Sequence, residues 1–580
     1  MASPATPAIA QTTARPLDGL RLDASGPLGP ADGLVTEHLR LLGAESAGHP
    51  GGHIRLSGAE FSGVTAHTRW GDEAADEATV QAVTGVMAVH GRRDGAPRGV
   101  AVDYAATATG VLTVQALLAG LLAQARGGRI TEAEVNAERA GLLAVSQYLA
   151  AAGAEEDEAA EVAPGGPPFT SADGVVFELE TLGPSAWAAF WRALGAPGDA
   201  VRRGWRPFQF RYATACAPFP QSLHDSARTA VWELIREAAR SSGAEVCRLR
   251  SLAERATEYD GAPPWELSPR HASYSGTATE HADAPLAGLT VLEAGRRIQA
   301  PLTAHLLGLL GAEVVRIEPP GGDPLRGMPP ACSGVSARWL ALNRGKKAVE
   351  VDIKSPADRE RLRAMAARAD VFLHNWAPGK AAELGLDHEH LAAANPALVY
   401  AYTSGWAGRL PNAPMGTDFM VQARTGVGEA ARTADEPPAP SLMTLLDVLG
   451  GLIGAEAVLA GLLLRQRTGA GVRVDSSLLG AADVLTAAAR ARAAQGLDPR
   501  RPAGFRRPLP TADGWIALPD QSAIPYEVSD LSTAQALERL RGDGLSAVPV
   551  VTDLADLLSS GSISRDAHGA PAVPDPWRFA

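Results

Sequence analysis

The chain of 580 residues is 46% hydrophobic and 20% charged, which is typical of a soluble globular protein with several domains. Its formal net charge of −12 argues against a nucleic-acid-binding protein that depends on bulk positive charge. Cys216, Cys247 and Cys332 show neither metal-ligand spacing nor a disulfide framework, so we expect a cytoplasmic protein without a metal site.

Two stretches of the chain repeat the same plan in the same order. The matched pairs are 16–45 with 285–313, 116–128 with 458–471, and 170–179 with 510–518. Such a long period excludes a solenoid and predicts two tandem copies of one domain. The interval after the first match runs over 46–100 in the first copy but over 314–444 in the second. We therefore expect only the second copy to hold a complete site.

Composition breaks divide the chain into segments. We predict a disordered tail at 1–15, a first large domain at 16–163, its small domain at 164–258, a linker at 259–284, a second large domain at 285–503 and a shortened small domain at 504–580. The boundary at 163–168 is rich in Pro and Gly, and the linker is polar and shows no periodicity.

The second copy shows the clearer alternation of strands and helices. Its predicted strands lie at 289–295, 312–318, 347–354, 370–375 and 397–406. Alternation of this kind predicts an α/β fold in which each copy has a doubly wound, mainly parallel, Rossmann-like sheet and a smaller α+β domain. Because ligands bind beyond the carboxyl ends of such strands, a site is expected at the turns after Glu293, Glu318, Asn375 and Ser404.

The common nucleotide and metal motifs do not occur in the sequence. The turn EAGRRIQAP after the first of these strands lacks the G-x-G-x-x-G of dinucleotide-binding proteins, and there is no P-loop or G-x-S-x-G elbow. His374, His388 and His390 match no metal-ligand spacing, so we expect structural or solvent-facing roles for them.

A group of basic residues follows the second of these strands. Arg344, Lys346, Lys347 and Lys354 lie in NRGKKAVEVDIK. They form either a solvated loop that enters a strand or a patch that holds phosphate, and the residues alone favour neither. The turn NWAPG, from Asn375, offers backbone N–H groups after a strand but is also a common loop.

Asp447 stands out among the carboxylates because apolar residues lie on both sides of it. One interpretation is a helix N-cap, for which aspartate is well suited. The other is a nucleophile that the helix dipole keeps ionised and partial desolvation activates, and the two roles can coexist. The apolar run 448–464 is short for a membrane span and is interrupted by Glu456, so we expect a buried helix and no membrane partner.

The second copy resembles the family III CoA-transferases (CaiB/BaiF type), which include formyl-CoA transferase and α-methylacyl-CoA racemase. The resemblance rests on PLAGLTVLEAG, GAEVVRIEPPGGDPLR, LNRGKKAVEVDIK, ADVFLHNWAPGKAAELGL, NPALVYAYTSGWAG and the LLD…RTGAG segment. It covers 285–485, continues more weakly to residue 580, and extends only to the ends of the first copy. The family's nucleophilic aspartate precedes a Thr-Gly pair at the spacing that Asp447 has from Thr468.

The resemblance implies a CoA-transferase that moves CoA between an acyl-CoA and a small carboxylic acid through covalent intermediates on Asp447. It places Gln299 beside the thioester. Together with the basic patch, the residues predicted to contact coenzyme A are Gln299, Ala300, Lys346, Lys347, Lys354, Asn375, Trp376, Ala377, Thr417 and Phe419.

Three positions depart from the family pattern. Pro319 and Ala377 stand where many members have arginine, and Thr417 stands where racemases have a catalytic histidine and several transferases a lysine. Because the histidine is missing, CoA transfer is favoured over the alternative of an acyl-CoA racemase or isomerase. The missing cations weaken the binding expected for the CoA phosphates. The basic residues that could compensate are Arg316, Arg326 and Lys380.

The first copy lacks counterparts of NRGKK and NWAPG and has Ala106 opposite Asp447. Asp103, one helical turn earlier, could be a shifted nucleophile. Members of the family form interlocked homodimers, so we expect a covalent pseudo-dimer with one active site that could itself form a homodimer. A catalytically degenerate CoA-binding or scaffold protein is the alternative from outside the enzymes.

Overall fold

The computed structural model describes residues 14–46, 51–270, 284–522 and 526–580, so the predicted tail lies almost entirely outside the described residues. The first large domain contains strands β1 (Arg21–Ser25), β2 (Glu45–Ser46), β3 (His53–Gly58), β4 (Phe61–Arg69) and β5 (Glu132–Asn136). Its helices are α1 (Asp32–Leu41), α2 (Glu77–Val83), α3 (Val86–Gly91), α4 (Tyr104–Ala125), α5 (Ala137–Ala144) and α6 (Ser146–Ala152). A 3-10 turn covers Arg92–Asp94.

The small domain of the first copy combines a three-stranded antiparallel sheet with helices. Its strands are β6 (Phe169–Thr170), β7 (Val176–Glu180) and β8 (Glu245–Arg248), and its helices are α7 (Pro184–Ala193), α8 (Gly198–Thr214), α9 (Gln221–Thr229), α10 (Trp232–Ser242) and α11 (Leu252–Glu258). Strand β9 (Trp265–Arg270) follows, inside the segment predicted to be a linker. Residues 271–283 of that segment lie outside the described residues.

The second large domain carries the longest run of strands and helices. Its strands are β10 (Thr290–Ala294), β11 (Glu313–Glu318), β12 (Ala331–Cys332), β13 (Val335–Ser336), β14 (Lys347–Glu350), β15 (Val371–His374), β16 (Val399–Ser404) and β17 (Gly471–Ser477). Its helices are α12 (Gln299–Leu309), α13 (Ala337–Asn343), α14 (Pro356–Ala366), α15 (Lys380–Glu383), α16 (His388–Ala394), α17 (Asp418–Thr425), α18 (Val427–Ala430), α19 (Leu445–Thr468), α20 (Leu478–Leu485) and α21 (Ala487–Ala494), with a 3-10 turn at Pro324–Gly327.

The C-terminal segment is built from short elements. They are β18 (Leu509–Pro510), β19 (Trp515–Ala517), α22 (Thr533–Gly542), β20 (Val548–Pro549), a 3-10 turn at Leu554–Ser559, β21 (Ser564–Arg565), β22 (Pro571–Ala572) and β23 (Trp577–Phe579).

The sheet of the second copy has the order β14-β11-β10-β15-β16-β17-β9. All of its pairs are parallel except β17 with β9, which confirms the doubly wound α/β fold. The strand order reverses direction between β10 and β15, and their carboxyl ends therefore form the crevice in which ligands of such folds bind.

The sheet of the first copy is different, with the order β2-β1-β3-β4-β5-β23. Only β1 with β2 and β4 with β5 are parallel, so the mainly parallel arrangement expected of both copies is found in the second copy alone. A parallel crossover needs about a dozen residues or more, usually with a helix. The short interval of the first copy instead forms the β3–β4 hairpin.

Each copy completes the sheet of the other. Strand β9, at the end of the first copy, pairs with β17 of the second, and β23, at the end of the second copy, pairs with β5 of the first. The indole of Trp577 donates a hydrogen bond to the Leu112 carbonyl across this junction, at 3.0 Å. The chain is therefore an interlocked pair within itself, as expected of a pseudo-dimer.

The long helices α4 and α19 pack against each other at the centre of the protein. Gln115 of α4 donates to the carbonyl of Leu452 in α19 at 2.7 Å, and His38 of α1 binds Glu456 of α19 at 3.0 Å. Both helices are long and apolar enough to cross a membrane, but nearly all of their residues are buried inside the protein. They form the core that the two copies share, as predicted for the helix after Asp447.

Candidate active site

Asp447 lies in the first turn of α19, close to the point where Glu180 of the first copy meets Thr417 of the second. The residue that precedes the helix is Thr444, so Asp447 is not the N-cap that one interpretation predicted. Its side chain is half-buried, and its backbone N–H donates to Asp418 Oδ2 at 2.7 Å. The carboxylate is thus held in the field of the helix N-terminus while it stays open to a ligand.

Asp418 belongs to a rigid hydrogen-bonded frame behind Asp447. The side-chain amide of Gln422 donates to Asp418 and to the Ser441 carbonyl, and its oxygen accepts from the Ser441 N–H at 2.8 Å. Sequence reasoning missed Asp418, although it directly follows Thr417 in the GTDF segment. Every member of this frame is buried except Asp447, so the nucleophile candidate is the part of the frame that substrate can reach.

The two carboxyl groups perturb each other. Burial raises the pKa of Asp447, the negative charge of Asp418 raises it further, and Arg297 opposes the rise. Burial also raises the pKa of Asp418. Two neighbouring carboxylates with raised pKa values are costly to ionise together, so the pair favours the state that holds one proton.

The small domain of the first copy supplies one wall of this site. Glu180, at the end of β7, accepts a hydrogen bond from the Thr417 hydroxyl at 2.8 Å and forms an ion pair with Arg211 at 3.0 Å. The Arg211 guanidinium lies 4.9 Å from the ring centre of Phe419, which is buried. Thr417 and Phe419 therefore join the two copies, and Phe419 contributes from below the surface.

Gln299 begins α12 and lies directly against the turn that follows Asp447. Its side-chain amide points towards the Ser404 carbonyl at 3.5 Å, at the carboxyl end of β16. A Cβ added to Gly450 would be 3.0 Å from this amide nitrogen, and one added to Gly451 would be 3.0 Å from the Gln299 carbonyl oxygen. The glycine pair after Asp447 thus allows α12 to approach α19 closely.

Ala300 is fully buried and packs against the turn after β10, where a Cβ on Gly295 would meet it at 2.7 Å. It supports the loop from beneath, and its side chain is not accessible to a ligand.

A cavity of about 530 Å³ opens beyond the carboxyl ends of β10, β11 and β14. Its lining includes Arg296, Arg297, Pro319, Lys354 and Trp376. Lys354 and Trp376, two of the residues predicted to contact coenzyme A, thus line the same cavity. The position that lost the family arginine, Pro319, lies in the same wall.

Asn375 links the two loops that border this cavity. Its side-chain oxygen accepts from the Arg296 N–H at 2.9 Å, and its amide donates to the Arg296 carbonyl at 3.0 Å. Ala377 is exposed two residues later. Asn375 therefore fixes the loop that carries the two arginines, while its predicted contact with coenzyme A stays a prediction.

Arg296 and Arg297 are the cations that sequence reasoning missed. Both side chains are exposed, and neither forms an ion pair within the described part of the chain. The signal was present in the turn EAGRRIQAP, at the carboxyl end of the first strand of the second copy. They lie in the same wall as Pro319, where the family arginine is missing.

Lys346 and Lys347 do not reach this cavity. The Lys346 ammonium is buried and donates to Glu293 at 2.7 Å, to the Pro301 carbonyl at 2.8 Å and to Asn343 at 3.0 Å. These three acceptors use its three N–H groups, so it is a structural cation. Lys347 lies at the amino end of β14, away from the carboxyl end that borders the cavity, and pairs with Glu313 at 2.9 Å.

The three candidates for compensating cations are also engaged. Arg316 is buried among Glu293, Glu318 and Asp323. Arg326 binds Glu318 at 2.8 Å and stacks on Trp339, while Lys380 pairs with Glu383 at 2.7 Å on the surface.

The histidines near the site have structural partners. His374 is buried and its Nε2 lies 2.7 Å from the Tyr400 hydroxyl, and His390 pairs with Asp387. Within the described ranges, no three His, Cys, Asp or Glu residues are grouped so that they could hold a metal.

The first copy rebuilds the same frame without the nucleophile. Glu77 accepts from the Ala106 N–H at 2.7 Å and from the Gln81 amide at 2.8 Å, and Gln81 accepts from the Val100 N–H at 2.7 Å. This is the pattern that surrounds Asp447 in the second copy. It confirms from geometry that Ala106 occupies the position of Asp447. Burial raises the pKa of Glu77 to about 7.

Asp103, the candidate for a shifted nucleophile, precedes α4 and faces two arginines. It pairs with Arg506 at 2.6 Å and with Arg501 at 3.4 Å, both from the second copy. These contacts anchor the end of the second copy to the first.

Comparison with known proteins agrees with the duplicated architecture. The profile of CoA-transferase family III matches residues 57–258 and again 286–527. Succinyl-CoA:glutarate CoA-transferase of Mus musculus is 35% identical over 198 residues, which cover 34% of this chain and 45% of that protein. Acetyl-CoA:oxalate CoA-transferase of Acetobacter aceti is also 35% identical over 198 residues, which cover 33% of this chain and 51% of that protein.

The chain thus spans about half the length of these curated relatives. Among solved structures, a CaiB/BaiF family protein from Brucella suis aligns with a TM-score of 0.46 at 26% identity, over 52% of this chain and 93% of that one. Since the family profile covers more than half of the residues in two separate matches, the chain belongs to CoA-transferase family III.

Proposed function

We propose that the chain is a CoA-transferase that moves CoA between an acyl-CoA thioester and a carboxylic acid through covalent intermediates on Asp447. The observation that carries the proposal is the half-buried Asp447 carboxylate in the first turn of α19, with residues of both copies around it. The names of the relatives, which pair succinyl-CoA with glutarate and acetyl-CoA with oxalate, support the same reaction class.

The steps exchange one activated carboxyl group for another. The Asp447 carboxylate attacks the thioester carbonyl, the C–S bond breaks, and a mixed anhydride and CoA thiolate form. The thiolate then attacks the aspartyl carbonyl, which releases the donor acid and leaves an aspartyl-CoA thioester. The acceptor carboxylate attacks that thioester to give a second anhydride, and the thiolate attacks its acyl carbonyl, which yields the new acyl-CoA and restores Asp447. One difficult displacement is thereby divided into easier ones.

The surrounding groups fit these steps. The helix N-terminus and the Gln299 amide stabilise the negative charge that develops on the carbonyl oxygen. Arg296 and Arg297 provide positive charge for the CoA phosphates, because Pro319 stands where many family members have an arginine. Lys354 and Trp376 line the same cavity. Because the pKa of Asp447 is raised, the reactive carboxylate becomes more abundant as the pH rises.

The test is incubation with a panel of acyl-CoAs that includes succinyl-CoA and acetyl-CoA, followed by hydroxylamine trapping and intact-mass measurement. We expect an acyl-CoA-dependent adduct that disappears in Asp447→Ala. Asp103→Ala is the matched control from the first copy and should keep the adduct. If Asp103→Ala abolishes the adduct while Asp447→Ala keeps it, the nucleophile lies in the first copy. If neither CoA nor an adduct is bound, the chain acts as a degenerate scaffold.

Racemisation fits the site less well. A racemase needs two proton-transfer groups, and the Thr417 hydroxyl that stands at one of these positions donates its proton to Glu180. A hydroxyl of ordinary acidity is a poor base for removing an α-proton.

A further inference from the structure

The active site has a counterpart in the first copy from which both implied reacting side chains are missing. The hydrogen-bonded frame of Glu77 identifies Ala106 as the equivalent of Asp447. A Cβ added to Gly110 would meet Ala31 at 2.9 Å, just as one added to Gly451 would meet Gln299 at 3.0 Å. Ala31 therefore stands where the second copy has Gln299.

A cavity of about 1280 Å³ lies next to these alanines. Its walls come from both copies: Leu34 and Ala106 belong to the first, and Phe505 and Leu545 to the small domain of the second. The lining is largely apolar, and a concave site of this size can enclose a ligand of drug size.

The arginines that line the cavity differ in how many of their N–H donors are already used by protein acceptors. Arg506 is buried and saturated, because it binds Asp103, Asp520 and the carbonyls of Val100 and Val102. The guanidinium of Arg501 is one-third exposed and pairs with Asp103 at 3.4 Å. Its carbon lies 4.8 Å from the ring centre of Phe505, which holds it at the cavity wall. Arg490 and Arg492 also line the cavity; Arg490 is buried against Asp483, and Arg492 donates to the Asp498 carbonyl at 2.9 Å. Arg501 is thus a partly exposed cation that keeps donors for a ligand.

We propose that this cavity is a second, non-transferring ligand site that binds a carboxylic acid with an apolar chain, the carboxylate on Arg501 and the chain against Leu34, Ala106 and Phe505. With alanine at both reacting positions, the bound acid meets no nucleophile and is not converted. The cavity touches α4, which packs against α19, the helix that carries Asp447. The site goes beyond the proposed transferase reaction and does not depend on it.

The test is isothermal titration of the full chain with decanoate, with decanol and decyltrimethylammonium as probes of the charge requirement. We expect one decanoate to bind per chain, both in the wild type and in Asp447→Ala. This variant has alanine in the second copy at the position where the first copy already has Ala106. Ala106→Phe fills the cavity and should abolish this binding. Arg501→Gln should weaken it about tenfold or more, because a charge-assisted hydrogen bond is lost.

Several outcomes would overturn the inference. Decanoate binding that survives in Ala106→Phe places the ligand elsewhere, and equal binding of decanol or decyltrimethylammonium refutes a carboxylate site. Absence of binding to the wild type also overturns it. Should Ala106→Phe fail to fold, the partly exposed Arg501 leaves Arg501→Gln as the deciding variant. A failed transferase assay leaves these results intact, because binding is measured in the Asp447→Ala background as well.

Discussion

Replacing Asp418 by asparagine isolates the electrostatic effect of this residue on Asp447. The amide oxygen of asparagine can still accept the hydrogen bond from the Asp447 N–H, which is 2.7 Å from Asp418 Oδ2, but the negative charge is gone. For like charges about 6 Å apart, the outer end of the range in which a neighbouring charge shifts a pKa strongly, an effective dielectric of about 20 gives a repulsion of about 3 kcal/mol. That energy corresponds to about two pKa units.

We therefore expect the rise of kcat/KM with pH to shift to lower pH by about two units in Asp418→Asn. The pH dependence of adduct formation in single turnovers gives the same midpoint independently. Glu77→Gln is the matched control, because it makes the same change in the equivalent frame of the first copy and should leave the midpoint in place. An unchanged midpoint, or one that moves upward, would refute the proton-sharing pair.

The same pair has a consequence for folding stability. A carboxyl group whose pKa is higher in the folded state than in the unfolded state binds more protons when folded, so the free energy of unfolding falls as pH rises through that window. Urea unfolding at pH 5 and pH 8 should show a smaller fall for Asp418→Asn than for the wild type. A larger fall would mean that Asp418 does not raise the pKa of its neighbour.

Three further variants test the geometry. Trp577→Ala should lower the free energy of unfolding by about 3–5 kcal/mol in one transition that spans both copies, whereas Trp577→Phe should cost about 1 kcal/mol, as urea denaturation measures. Arg297→Gln should raise KM for acyl-CoA more than it changes kcat and should weaken the salt dependence of KM; an unchanged KM would remove Arg297 from the CoA site. Gly451→Ala should slow adduct formation, because its Cβ pushes the backbone of Gln299 away; normal single-turnover rates would show that this contact can relax.

Much of this architecture could be predicted from local sequence. The strands of the second copy alternate with helices, and their apolar runs set the parallel sheet. Asp447 was conspicuous because a carboxylate between apolar residues is costly unless something uses it. The sequence alignment of Ala106 with Asp447 agrees with the structure, since α4 and α19 carry these residues at equivalent positions of the shared core.

The parts that sequence missed depend on contacts between distant segments. Glu180 reaches Thr417 from another domain of the other copy, and no spacing rule connects them. Lys346 looked like part of a phosphate patch, but its burial against Glu293 becomes visible only when three segments meet. Strand β9 is short and follows prolines, so its pattern resembled a linker; its place in a sheet comes from the edge of β17 that it covers.

The exchange of terminal strands also bears on symmetry. In a homodimer, one gene encodes both subunits, so any substitution appears twice and neither site can change alone. Here β9 and β23 hold two unequal halves together in a fixed ratio within one polypeptide. Each half can therefore accumulate its own substitutions, provided that the terminal strand with which it extends the sheet of the other half is kept. Ala106 opposite Asp447 is a difference that a dimer of identical chains could not hold.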